Sequence, residues 1–117
     1  MSGFTLVADA QGMAEFEDGR VVPASVLKST GANVMVFSFG AASNLREHSA
    51  DFPVLLQALE GVLQVQIADQ EFALSPGDLL HIEPKVPHSV SAVERARLQL
   101  TVLMIDSPGE SKVPLAE

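Results

Sequence analysis

From Val21 onward apolar and polar residues alternate along the chain, and no window holds an apolar stripe at helical spacing for more than about three turns. A period of two puts one face of an extended strand into a core and the other outside, so the pattern predicts an all-β chain. The predicted strands are Val21–Ser29, Asn33–Phe39, Pro53–Glu60, Val62–Ala68, Glu71–Leu74, Leu79–Glu83, His88–Ala92 and Arg97–Asp106. Short, closely spaced strands suit a sandwich or a barrel. In Ser75-Pro76-Gly77-Asp78, proline sits where a type II turn needs φ of about −60° and glycine where φ becomes positive. Gly31, Gly40 and Gly61 bound apolar runs, and Ala68-Asp69-Gln70 can close a hairpin.

Two segments break the alternation by being apolar on both faces: Val34-Met35-Val36-Phe37, and Leu98–Ile105, interrupted only by Gln99 and Thr101. A small barrel has one interior, so the second apolar face needs its own cover. A partner subunit is the more economical cover and makes a homodimer the expected assembly; an N-terminal arm folded back is the alternative. The division this implies is an arm over residues 1–20, a β-barrel domain over 21–107 and a tail over 108–117.

Composition narrows the class. With 47% apolar and 19% charged residues in 117, the chain has the material for one core and no room for a second domain. Cysteine is absent, which removes disulfides and thiolate chemistry and leaves a reducing, cytoplasmic setting as the expectation. The N-terminus has no basic region ahead of an apolar run, and nothing approaches the roughly 18 apolar residues of a membrane span. A net charge of −8, with lysines and arginines scattered, disfavours nucleic acid as a partner.

The chemistry enters through spacing. Gly40 is followed by five residues, then Arg46-Glu47-His48, five residues, Val54, six residues and Gly61. Further on, Gly77 is followed by Glu83-Pro84-Lys85, His88 and Ala92. These stretches resemble the two motifs of the cupin superfamily, in which a glycine precedes His-x-His, a glutamate and a second glycine, and a later glycine precedes proline, glycine, histidine and asparagine. His48 falls on the second histidine and His88 on the last. Arg46 stands at the first histidine, Val54 near the glutamate and one residue late, Lys85 at the glycine, and Ala92 at the asparagine. Leu59-Glu60-Gly61, Pro76-Gly77-Asp78 and Pro87-His88 are similar to phrases of short one-domain cupins.

The resemblance implies an antiparallel jelly-roll barrel, with His48 and His88 facing each other across its lumen. It also implies the transition-metal site of many cupins (iron, manganese, nickel or zinc), yet two of the four ligand positions are lost here. Such sites need at least three protein ligands, so no cofactor is expected. If a metal binds, His48 and His88 hold it with Asp51 as a conceivable third ligand.

By strand parity Arg46 projects to the same side as His48. There it opposes a divalent cation and favours a carboxylate or phosphate; the other reading puts it at the rim, paired with Glu47 or Asp51. Two imidazoles offer acid–base capacity near neutrality, and their protonation strengthens anion binding as pH falls through about 6.5. Val54, Leu56 and Ala58 form the expected apolar wall. His81 shares a face with Leu79 and Glu83, away from Leu80 and Ile82, and reads as a partly buried or interface histidine rather than a ligand.

The leading expectation is therefore a small cupin that binds a small anionic molecule through Arg46, His48 and His88. The alternatives are a metal-dependent dioxygenase, decarboxylase or isomerase, and a non-catalytic ligand-sensing module. The fold hosts all of these, so it does not choose among them.

Overall fold

The computed structural model describes residues 3–104. These residues form nine strands in two sheets around one core. One sheet runs β1 (Val21–Lys28), β2 (Ala32–Phe39), β9 (Ala96–Leu103), β4 (Val54–Glu60), β7 (Leu79–Ile82). The other runs β3 (Ser43–His48), β8 (His88–Ala92), β5 (Leu63–Ile67), β6 (Gln70–Leu74). All pairings of these strands are antiparallel, and the fold is a jelly roll, as the alternation and the motif resemblance imply.

Seven of the eight predicted strands match to within about two residues at each end. The eighth, Arg97–Asp106, is seen as β9 to Leu103, and Ile105, Asp106 and the tail lie outside the described residues. Strand β3 is the addition. Ser43-Asn44-Leu45-Arg46-Glu47-His48 carries one apolar residue, because this edge strand pairs only with β8 and leaves most of its side chains in water.

The turns follow their chemistry. Gly77 takes φ 100°, Asp78 N–H donates to the Ser75 carbonyl at 2.9 Å, and the Asp78 carboxylate accepts from Ser75 N–H at 2.8 Å. Ala68 takes φ 56° in the loop between the paired Ile67 and Gln70.

Inward residues of both sheets interdigitate. Phe39, Leu56, Leu63, Val65 and Leu98 are fully buried, with Val54, Ala58, Leu74, Ile82, Val90 and Leu100 around them. The opposite face of the first sheet has a separate cover, the N-terminal arm, which contains one 3-10 turn at Ala10–Met13. Ala14 is buried, and its carbonyl accepts from the Ser38 hydroxyl at 2.7 Å and from Arg97 Nη2 at 3.2 Å. The Arg97 guanidinium lies 4.2 Å from the Phe16 ring centroid, close enough for a cation–π contact. Gly40 packs under the arm so closely that any Cβ there would meet the Glu17 carbonyl.

Over β1, β2 and β9, then, the arm supplies the cover that the sequence reading assigns first to a partner subunit. It leaves Val36 and Ser38 with no exposed surface.

Candidate functional site

The two motif histidines meet at one end of the lumen. In the β3–β8 ladder Leu45 faces Val90 and His48 faces His88, so two residues of β3 stand against one of β8 between these pairs. This β-bulge inserts one residue and reverses the strict alternation. The imidazole rings of His48 and His88 are 4.4 Å apart between centroids at an interplanar angle of 60°, an edge-on contact.

Each ring is held in the same way, by the carbonyl two residues earlier in the chain. His48 Nδ1 lies 2.9 Å from the Arg46 carbonyl and His88 Nδ1 lies 3.0 Å from the Val86 carbonyl. A carbonyl oxygen only accepts, so Nδ1 carries the hydrogen in both rings, and in the neutral rings Nε2 is the lone-pair nitrogen. His48 is exposed at the end of its strand, whereas His88 is 2% exposed, and its Nε2 is buried with no hydrogen-bond partner among the described residues.

Burial pushes the His88 pKa below its ordinary value of 6.5; the Val86 carbonyl opposes this, and the neighbouring His48 adds to it. The expectation that both imidazoles gain charge as pH falls through about 6.5 is thus corrected for His88, which resists protonation. The same shift gives a testable stability profile. The unfolded chain takes up the His88 proton at a higher pH than the folded chain, so stability is full above about 6.5 and falls as pH drops from there through the lower folded value. Urea unfolding at about pH 8 and pH 5.5 should show this loss in the wild type and a smaller one in His88→Gln. Equal losses would contradict it.

An open groove of about 460 Å³ beside the pair is lined by Phe37, Leu45, Arg46, Glu47 and His48. The bulge breaks the parity that would send Arg46 into the lumen with His48. Arg46 is exposed on the groove wall at the rim, and it makes no ion pair among the described residues. Asp51 is engaged elsewhere, 3.6 Å from Lys85 Nζ. The backbone N–H of Lys85 in turn donates to the Ala50 carbonyl at 2.6 Å, with Lys85 at φ 67° where the motif has glycine.

Val54, Leu56 and Ala58 are buried in the core cluster. They do not line the groove; its apolar walls are Phe37 and Leu45. The sequence reading missed both, although the parity Phe37 shares with Phe39 was the signal available for one of them. His81 is exposed on the surface rather than partly buried, 3.9 Å from Glu83.

The metal set implied by the motifs is incomplete. His48 and His88 provide two nitrogens, Val54 is a core residue, Asp51 pairs with Lys85, and a guanidinium occupies the rim. No group of three or more His, Cys, Asp or Glu among the described residues is placed to hold a metal ion. Among the described residues, two imidazole nitrogens fall short of the three protein ligands that a resident transition metal needs.

Known structures reproduce this architecture. A cupin superfamily protein from Desulfitobacterium hafniense superposes with a TM-score of 0.75 over 90% of this chain and 94% of its own, at 19% identity. An RmlC-like cupin from Desulfovibrio desulfuricans gives 0.76 over 86% and 97%, at 23% identity. KdgF from Halomonas sp. gives 0.64 over 79% and 87%, at 18% identity. At such identities these likenesses concern the fold. No curated protein matches the chain. Residues 37–108, which span both motifs, the groove and the histidine pair, match the family described as the AraC-like ligand binding domain. The chain is a cupin-fold protein and belongs to that family.

Proposed function

We propose that the groove bounded by Phe37, Leu45, Arg46 and His48 binds a small organic anion without a resident metal, the domain acting as a binding module. The observation that carries this reading is the buried, unpartnered Nε2 of His88, whose ring lies edge-on against His48, a wall of the groove that also carries an arginine with no ion-pair partner among the described residues. Buried polar atoms are satisfied in the great majority of proteins, so an orphan beside an open groove marks a place for a ligand group. Arg46 offers a planar fork to a carboxylate or phosphate at the rim. Phe37 and Leu45 receive apolar surface, and the imidazoles form the inner polar end. The family's description as a ligand-binding domain supports binding over turnover.

Calorimetric titration of benzoate, acetate and inorganic phosphate into wild type and Arg46→Ala tests the role of the guanidinium. The best-binding anion should lose about tenfold in affinity in the variant, the lower end for a charge-assisted contact because Arg46 is exposed. Arg46→Lys should recover only part of the loss. Equal affinities across the three proteins would sink the anion reading.

A further inference from the structure

We propose that the inner end of this site selects a hydrogen-bond donor: the ligand carries a hydroxyl or N–H that donates to Nε2 of His88, beside the edge-on ring of His48. The inference rests on the binding reading above and specifies the group that enters deepest.

It follows from how the two rings are wired. Each donates its Nδ1 hydrogen to the carbonyl two residues earlier in the chain, Arg46 in β3 for His48 and Val86, just ahead of β8, for His88. That fixes one tautomer for each ring in its neutral form, with Nε2 as the acceptor, on rings 4.4 Å apart. Neither ring then has a hydrogen left to offer. A carbonyl, ether or carboxylate oxygen arriving there would face lone pairs, whereas a hydroxyl or N–H satisfies an acceptor that is 98% buried and lacks a partner among the described residues. The side chains that bring charge to the groove, Arg46 and Glu47, are both exposed on its wall. The site therefore offers two kinds of contact: a guanidinium beside a carboxylate on the groove wall, and, behind the His48 ring, an unpartnered acceptor for a neutral donor.

Phenol and anisole discriminate, because they share a ring and differ in whether the oxygen bears a hydrogen. The readout is the imidazole nitrogen spectrum of the ¹⁵N-labelled full chain at about pH 7.5, where phenol is neutral. Assignments come from His48→Gln and His88→Gln. Without probe, His88 Nδ1 should resonate as a protonated nitrogen and Nε2 as an imine-type nitrogen. Phenol should shift the His88 Nε2 resonance saturably toward the protonated side, and anisole should leave it in place.

Equal shifts with both probes, or a hydrogen found on His88 Nε2 at the outset, would overturn the donor preference and leave the groove as a binding site. If phenol perturbs none of Phe37, Leu45, His48 and His88, the donor inference falls, and the anion titrations above decide the binding reading separately.

Discussion

Exchanging Arg97 for alanine is expected to cost about 2–3 kcal/mol of unfolding free energy and to loosen the N-terminal arm. The guanidinium lies in the outer face of the first sheet with its side chain 15% exposed, and three different groups depend on it. Nη1 donates to Glu60 at 2.8 Å, Nε to the Ser38 hydroxyl at 3.0 Å and Nη2 to the Ala14 carbonyl at 3.2 Å, while Phe16 lies against its face. Breaking a fully buried pair costs roughly 3–5 kcal/mol. Glu60 is 43% exposed and can turn to water, which places the expected loss below that range.

Arg95→Ala is the control. Arg95 is 58% exposed and 3.6 Å from Asp18, a surface pair worth about 0–1 kcal/mol. Urea unfolding compares the two, and limited proteolysis near residues 14–18 should report the freed arm in Arg97→Ala alone. Equal losses in the two variants would mean that the arm is not pinned by Arg97.

Gly61→Ala should destabilise the fold by about 2–5 kcal/mol, combining roughly 1–2 for a left-handed backbone with about 1–3 for overpacking. Gly61 turns the chain between β4 and β5 at φ 73°. A Cβ there would lie 2.5 Å from the Arg95 carbonyl oxygen and 2.9 Å from Cα and Cβ of Ala96, which has no exposed surface and no room to retreat. Gly77→Ala separates the two contributions, because Gly77 has φ 100° but nothing within 4 Å of the added atom. The Gly61 variant should be the less stable of the two by the steric share. If the two were equally stable, the close approach at Ala96 would be soft.

Most of the fold was legible because its signals are local. Leu63, Val65 and Ile67 alternate with Gln64 and Gln66, and Pro76-Gly77 carries the chemistry of a turn. β3 was not legible, since an edge strand with one apolar residue has no pattern to read. The arm as cover of the outer face was legible only as the second of two options. Phe16 sits among Glu15, Glu17 and Asp18, and nothing in that acidic segment shows that it packs against Arg95 and Arg97 from the far end of the chain.

The site was legible in part and for a different reason. Motif spacing singled out His48 and His88, and the ladder places them opposite each other. What spacing cannot convey is the bulge between Leu45 and His48, which undoes the parity argument for Arg46 and puts that side chain at the rim. The ring orientations were also out of reach, because they depend on the carbonyls of Arg46 and Val86. Val54, Leu56 and Ala58 had the right parity to face inward, but parity does not distinguish the filled part of a lumen from its open end.

Native mass spectrometry of the full chain purified without chelator tests the central claim most directly, since it reports metal and retained small molecules in one spectrum. Wild type should carry no stoichiometric iron, manganese, nickel or zinc, and any small organic molecule it retains should be lost in His88→Gln. One equivalent of such a metal in the wild type, absent from both His48→Gln and His88→Gln, would contradict the account and make the lumen a metal centre.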